Sequence, residues 1–328
     1  MRGKGVIMMF LCPSCGSPMS LPRCPCCGSV VARKDRIWQL SSAPDIVTEG
    51  DGDRYIGYES IGEAYSGRRR RIIEDRDAAL AACIAEVTGQ GTFLDLGCGD
   101  GCLTVPCARL GVHVIAGDIS NTMLRILQEK AACNGISLET VVLCRMNALE
   151  IPLTDAGVDC VVANSVLHLI SNPAKVLSEI HRVLKPNGCF LCVDDAPGKV
   201  ENPDANAQYL EIVNALTAQY WDEMRALGIK PQKYSWRFDR GASCEALFRA
   251  RETRTLRRGN PVSTPLSEGF LPRFAGRGFS DQIDVPEAVH RAVYERVLHR
   301  CRERYGEAFD TACYHGTEPD LLVTLYRK

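Results

Sequence analysis

Apolar positions along this chain follow two rhythms. Between residues 72 and 198, short runs that are apolar almost throughout alternate with longer stretches whose apolar positions recur every three or four residues. "TFLDLG", "VHVIAGD", "LETVVLCRMNA", "VDCVVANS" and "CFLCVDDA" are of the first kind and predict strands. "IIEDRDAALAACIAEVTG", "GCLTVPCARLG", "SNTMLRILQEKAACNG" and "NPAKVLSEIHRVLKPNG" are of the second kind and predict helices. Their ends carry the expected signals: Ser-Asn before the third, Asn-Gly after it, Pro173 near the start of the fourth and Pro-Asn-Gly as its stop. Pro106 fits only if it lies in the first turn of the second helix. Apolar strands separated by helices imply a parallel sheet covered on both faces, an α/β fold.

Outside this core (72–198) the pattern changes. Residues 1–40 are a small cysteine-rich unit, and 41–71 are a polar connector ending in the basic run Arg68–Arg71. Residues 199–328 are rich in helix-like segments and arginine, among them the amphipathic "PEAVHRAVYERVLHRCRERYG". They finish on "DLLVTLYRK", which predicts a strand; "RETRTLRR" is the candidate for its partner.

Composition narrows the reading little. The 328 residues are 45% hydrophobic and 24% charged, with a net charge of −1, so global charge singles out neither nucleic acid nor a membrane surface. No apolar run approaches the roughly 20 residues that span a bilayer. "GVIMMFLC" is too short for a signal-peptide core, which gives a cytoplasmic expectation with Met8 or Met9 as alternative starts. Of seventeen cysteines, five fall within residues 12–27. The other twelve are scattered, mostly in apolar stretches, and read as small buried hydrophobes rather than a disulfide framework.

The chemistry concentrates in "FLDLGCGDGCLTV", residues 93–105. A loop between the first strand and its helix lies at the carboxyl edge of the sheet, where open α/β folds bind ligands. Glycine there permits positive φ and close approach of backbone to a ligand. The order is D-x-G-x-G-x-G, with Asp95 leading Gly97, Gly99 and Gly101, and Cys102 stands where a dinucleotide fingerprint needs its last small residue. Asp118 ends the next strand, where a carboxylate can accept both ribose hydroxyls of an adenosine.

"LDLGCGDG", "VIAGDIS", "NALEIPL", "DCVVANSVLHLI" and "EIHRVLKPNGCFLCVDD" occur in this order. Together they resemble the class I S-adenosylmethionine-dependent methyltransferases, of the group that includes ubiquinone/menaquinone C-methyltransferases. The resemblance covers about residues 72–198. It implies a Rossmann-like seven-stranded sheet with an antiparallel last strand and a helical substrate-covering insertion, here residues 199–270. It implies that Asp95, Gly97, Gly99 and Gly101 line the methionine end of the cofactor and that Asp118 holds the ribose. Ile119 would pack beside the adenine, Asn147 and Ala148 would meet its edge, and Asn164 and Ser165 would lie near the sulfonium. Asn147 stands where the family often has Asp; its amide oxygen can still accept a hydrogen bond.

Methyl transfer is an in-line displacement at an activated carbon, so positioning supplies much of the rate and a base is needed only if the acceptor loses a proton. His168, Asp194 and Asp195 are the candidates; each also reads as a packing or capping residue. The fourth-strand motif has neither the N/D-P-P-Y of enzymes that methylate exocyclic nitrogens nor a Pro-Cys pair, which favours a small-molecule acceptor.

In the cysteine-rich unit, Cys12-x2-Cys15 and Cys24-x2-Cys27 are separated by eight residues and each is followed by glycine. Two such knuckles place four thiolates around one zinc, a closed structural site, with Cys26 spare. A zinc ribbon before a methyltransferase core also resembles, in part, the 23S rRNA guanine-N1 methyltransferases. Residues 225–304 hold 17 Lys/Arg against 9 Asp/Glu, interleaved with Tyr234, Trp236, Phe238, Phe248, Phe270, Phe274 and Phe279. Such a segment suits RNA, an anionic small substrate or a solvated helical face. The leading expectation is a small-molecule methyltransferase; an RNA methyltransferase and a non-catalytic cofactor-binding module are the alternatives. The sequence leaves the oligomeric state open.

Overall fold

A computed structural model of the chain describes residues 9–41, 75–196, 203–231, 239–257, 260–282, 285–317 and 320–328. The chain divides into two compact units. The first comprises residues up to Asp194 with Tyr234–Leu256 and Leu322–Lys328; the second comprises Asp195–Lys233 and Arg257–Leu321. Residues 199–328, one region in the sequence pattern, therefore contribute to both. The connector with Arg68–Arg71 lies outside the described residues apart from Ser41, as do Tyr234, Trp236 and Phe238.

The first unit opens with four short strands, β1 (Phe10–Leu11), β2 (Pro18–Met19), β3 (Arg33–Lys34) and β4 (Ile37–Gln39). The alternating core follows: α1 (Asp75–Thr88), β5 (Thr92–Leu96), α2 (Thr104–Arg109), β6 (His113–Asp118), α3 (Asn121–Cys133), β7 (Val141–Arg145), β8 (Val158–Val162), α4 (Pro173–Val183) and β9 (Leu184–Ala196). Every strand and helix that the hydrophobic rhythm predicts between residues 75 and 196 is present. Ser120 caps α3 by accepting from the Met123 N–H, and Asn172 caps α4 by accepting from Lys175, as their positions require. Pro106 is the third residue of α2.

One boundary differs. The sequence predicts that α4 continues to Pro-Asn-Gly, but the helix ends at Val183 and that tripeptide lies within β9. The register against β8 shifts between the pairs Val158–Leu184 and Cys160–Cys189, and Asn187 takes φ of 65° there. Pro186 disfavours α conformation in the residue before it, and the chain enters the sheet through this irregularity instead of a turn.

β10 (Ala250–Arg257) follows α5 (Pro203–Ala226) and α6 (Arg240–Leu247) in the chain. The rest is β11 (Pro261–Pro265), α7 (Phe270–Ala275), α8 (Glu287–Tyr305), α9 (Glu307–Thr311), β12 (Cys313–Thr317) and β13 (Asp320–Arg327). The main sheet runs β10-β13-β9-β8-β5-β6-β7-β4-β3. Its first seven strands are the expected seven-stranded sheet, with β10, within "RETRTLRR", beside the terminal strand. β13 runs against β9: Lys328 lies beside Gly188, and Tyr326 stacks on Phe190, two steps along each strand in opposite directions.

The ribbon strands β4 and β3 extend this sheet to nine, a join that the sequence analysis does not predict. β4 pairs in parallel with β7, Trp38 opposite Cys144 and Gln39 opposite Arg145. β1 is tied to the segment after β7: the Leu11 N–H donates to the Pro152 carbonyl at 3.0 Å, and Thr154 N–H to Met9 at 3.0 Å.

Successive residues of a strand face opposite sides, and the sheet uses both. Leu94, Leu96, Ile115, Val161 and Phe190 form one core with Val176, Leu177 and Ile180 of α4 and with Cys12, Met19, Cys24, Val31 and Leu40 of the ribbon. The opposite side carries α1, α2 and α3. In the second unit, α5 and α8 pack around Tyr220, Trp221, Phe274 and Val297, and β11 pairs with β12. Among the described residues, no helix is long and apolar enough to cross a membrane.

Candidate cofactor site and metal centre

β5 delivers Asp95 to the carboxyl edge of the sheet, and the chain then turns through Gly97, Gly99 and Gly101 at φ of 71°, 53° and 78°. All three lie in the left-handed region that favours glycine. Gly97 and Cys98 donate to the Gly117 carbonyl at 2.8 and 3.0 Å, which moors the loop to β6. A Cβ on Gly97 would sit 2.5 Å from Val166 Cγ2, and one on Gly101 2.5 Å from Leu127 Cγ. At Gly99 the nearest atom is Met123 Cε at 3.4 Å, so that backbone faces comparatively open space.

Asp118, half-buried at the end of β6, brackets this loop. One oxygen accepts from the Gly99 N–H at 2.9 Å and the other from the Ser120 N–H at 2.9 Å. Asp95 is buried and accepts from Thr104 Oγ1 at 2.6 Å. Burial pushes its pKa up to about 7, the Thr104 hydroxyl pulls it down, and the charges of Asp118 and Asp100 raise it further. Asp100 is also buried, with Lys130 Nζ 3.9 Å away. Cys98 and Cys102 are held as thiols by burial, Cys102 pushed up to about 12, so neither is a nucleophile at neutral pH.

The remaining expected residues lie at the same edge. Ile119 follows Asp118. Asn147 and Ala148 follow β7, where Asn147 Oδ1 accepts from the Leu149 N–H at 3.0 Å. That bond occupies part of the acceptor capacity the sequence reading assigned to an adenine amino group. Asn164 and Ser165 follow β8; Ser165 has φ of 56°, and Asn164 Nδ2 lies 3.8 Å from Cys102 Sγ. His168 sits in the 3-10 turn Leu167–Leu169 with its side chain exposed on one side, and the protein mass behind it lowers its pKa by desolvation. Asp194 and Asp195 are near the carboxyl end of β9.

Several supporting residues are ones to which the sequence pattern assigns no role. Arg145, at the end of β7 and buried, donates from Nε to the Ile119 carbonyl at 3.1 Å and from Nη1 to the Ser41 carbonyl at 2.6 Å. Glu179 and Arg182 of α4 hold the segment after β7. Glu179 accepts from the Ile151 N–H at 2.8 Å, while Arg182 donates to the carbonyls of Ile151 and Leu153 at 2.8 and 2.7 Å. Thr104 and Lys130 supply the partners of Asp95 and Asp100. These contacts join positions far apart in the chain, which spacing alone does not reveal.

The ribbon gathers Cys12, Cys15, Cys24 and Cys27 so that their sulfurs lie within 4.8 Å of one another. The two knuckles repeat one geometry. Gly16 and Gly28 have φ of 70° and 74°, and their N–H groups donate to the carbonyls of Cys12 and Cys24 at 2.8 and 3.0 Å. Cys12–Cys27 and Cys15–Cys24 are each 3.7 Å apart. A tetrahedral zinc with Zn–S bonds of about 2.3 Å requires sulfur–sulfur edges of about 3.8 Å, so the donor set fits. Ser29 Oγ adds contacts to Cys27 and Cys12 at 2.9 and 3.2 Å, an outer hydrogen bond of the kind that orients metal ligands. Cys26 is exposed and outside the cluster.

In the basic region 225–304 the structure pairs many arginines with acids, in keeping with the solvated-face alternative. Arg296 and Arg300 pair with Glu223, Arg251 with Glu245, and Arg254 with Glu252 and Glu86. Arg273 lies over Phe279, 4.5 Å from the ring centroid. Phe248 and Phe274 are core residues, and Phe270 and Phe279 pack against the second unit's core. The described aromatics thus serve packing and offer no row of stacking platforms for RNA.

Residues 94–192 match the family model for a methyltransferase domain. This part of the chain is thus similar to methyltransferase domains. Ubiquinone/menaquinone biosynthesis C-methyltransferase UbiE of Vibrio cholerae is 36% identical over 115 residues, 34% of this chain and 44% of that protein. Demethylmenaquinone methyltransferase of Clavibacter sepedonicus is 29% identical over 145 residues, 43% of this chain and 57% of that one. Ribosomal protein L11 methyltransferase of Alkaliphilus metalliredigens is 33% identical over 138 residues, 41% of this chain and 42% of that one. The chain thus spans about half the length of these curated relatives.

Proposed function

We propose that the chain is a methyltransferase that moves a methyl group from S-adenosylmethionine to a small-molecule acceptor. The observation that carries this reading is the loop of three left-handed glycines bracketed by Asp118, set in a segment that matches the methyltransferase domain. Asp118 would accept the ribose hydroxyls. Asp95, Gly97, Gly99 and Gly101 would border the methionine end, with Ile119, Asn147 and Ala148 around the adenine and Asn164 and Ser165 toward the sulfonium. Bound there, the cofactor supplies a methyl group on an already activated carbon. The chain's task is to fix that carbon in line with the acceptor. His168, its pKa lowered, is neutral at pH 7 and can take a proton if the acceptor must lose one. Asp194 and Asp195 are the other candidates for that role.

The names of two relatives direct attention to quinone-precursor rings, so an aromatic ring carbon is the first acceptor class to test. The four-cysteine centre would hold one structural zinc, with no ligand position left for chemistry. A purified chain is expected to carry about one zinc, and Cys12→Ser with Cys15→Ser to lose it.

The deciding experiment gives labelled S-adenosylmethionine and the protein to an extract of the source organism. Label in soluble or lipid-extractable compounds supports the reading and yields the acceptor. Label in RNase-sensitive, acid-precipitable material replaces it with RNA methylation. Cofactor binding with no transfer into any fraction would leave a binding module.

A further inference from the structure

The ribbon is part of the sheet that carries the cofactor edge, and it meets that edge at Arg145. The guanidinium forks to two carbonyls on different segments: Ile119, next to Asp118, and Ser41, two residues beyond β4. The backbone repeats the join, since Arg145 pairs with Asp118 on one side and with Gln39 on the other, and Leu40 N–H donates to the Arg145 carbonyl at 3.0 Å. A second side-chain link runs beside it. Gln39 Nε2 donates to Oδ1 of Asn121, three residues past Asp118, at 3.0 Å.

From β4 the path to the metal centre is short. Gln39 N–H donates to Ala32, and Val31 N–H to Pro22, at 3.0 and 2.8 Å. Val31 and Leu40 share a core with Cys12 and Cys24. The ribbon's own share of that core is small, and a metal at the four cysteines would add to its stability. Loss of the metal would therefore loosen β4, and with it the Ser41 and Gln39 contacts. Arg145, buried and always protonated, would then lose its Ser41 contact while still bound to the Ile119 carbonyl. The carbonyl it shares with the cofactor edge is the one beside Asp118.

We infer that Arg145 is a positioning residue for the adenosine side of the site, and that through it zinc in the Cys12/Cys15/Cys24/Cys27 centre and S-adenosylmethionine at Asp118 each tighten the other's binding. The inference rests on the methyltransferase reading above. Thermodynamic linkage makes the effect reciprocal: the factor by which zinc tightens cofactor binding is the factor by which cofactor tightens zinc.

Two readouts test it on the full chain, neither of them turnover. Calorimetry gives the Kd for S-adenosylmethionine in zinc-loaded and chelator-stripped protein, for wild type, Arg145→Met and Arg145→Lys. A chromophoric chelator gives the equilibrium zinc affinity of loaded protein with and without saturating S-adenosylmethionine. In wild type, stripping is expected to weaken cofactor binding about tenfold, and the cofactor to raise zinc affinity by the same factor, a size typical of coupling between two sites. Arg145→Met is expected to bind the cofactor about tenfold more weakly with zinc present and to lose the metal dependence. Arg145→Lys, which keeps the charge but cannot fork to two carbonyls, should fall between. A general loss of stability would weaken binding without erasing the metal dependence. Equal cofactor affinity with and without zinc, or a metal effect that survives intact in Arg145→Met, overturns the inference and leaves the methyltransferase reading standing. Should stripped protein fail to fold, the zinc-affinity arm decides alone: no change on adding cofactor overturns the inference. Zinc-loaded wild type that does not bind S-adenosylmethionine overturns the methyltransferase reading itself, and this inference with it.

Discussion

Asp118 and Asp95 lie on neighbouring strands at one edge, yet their environments set them different tasks. Asp118 is half-buried and its oxygens accept two backbone amides. Asp118→Ala removes those bonds together with the expected ribose contacts. It should weaken S-adenosylmethionine binding by about a hundredfold or more, since hydrogen bonds to a charged group contribute roughly 1.5–3 kcal/mol each; calorimetry reads this directly, and unchanged affinity would place the ribose elsewhere. Asp95 is buried, and its carboxyl holds a proton up to about pH 7 where an ordinary one releases it near 3.8. The folded protein therefore binds this proton more tightly than the unfolded chain. The ligand-free protein should lose stability as pH rises from about 4 to about 7, by an amount on the order of 4 kcal/mol from this group. Unfolding in urea across that range, wild type against Asp95→Asn, tests the sign: the variant should be flatter. Both aspartates are legible in the sequence because glycine spacing and strand ends fix where they fall. Their partners are not. Thr104 and Lys130 become partners only once α2 and α3 have packed, and one glance along the chain does not distinguish them from any other helical threonine or lysine.

At the scale of elements, the loop after β5 is the tightest constraint. Gly101 combines φ of 78° with a neighbour, Leu127 Cγ, 2.5 Å from where a Cβ would stand. Gly101→Ala should cost about 2–4 kcal/mol, from backbone strain and overpacking together, measured as a shift in the urea midpoint at constant slope. Helices and central strands are legible because each spans enough residues to show a period. The ribbon strands are two or three residues long and show none. Their cysteines announce a metal centre, but nothing in "RIWQL" says that it will lie beside β7. The end of α4 misleads for a local reason: Pro-Asn-Gly is usually a turn, and here the sheet absorbs it as an irregularity.

The whole molecule changes the meaning of two compositional features. Surplus positive charge in residues 225–304 suits a polyanion, an anionic substrate or a solvated face, and many of its described arginines are engaged with the chain's own acids and rings. Sequence counts charges but not their neighbours. The sequence marks a small cysteine-rich unit, and two of its four clustered cysteines belong to the core that holds Leu94, Leu96 and Phe190. Chelating the metal should accordingly lower the melting temperature of the parallel sheet itself, followed by calorimetry. A sheet transition indifferent to the chelator would show the ribbon to be energetically separate. The pairing of β4 with β7 has one more consequence, for the order of events during synthesis. Trp38 meets Cys144 across about a hundred residues of intervening chain, and a contact that distant forms late. Knuckles that bind zinc as proposed could do so as soon as Cys27 leaves the ribosome, but the strand that follows them must wait, its edge open, until β7 has been made. Metal loading early in translation would hold that waiting segment in a folded form and keep it from other chains.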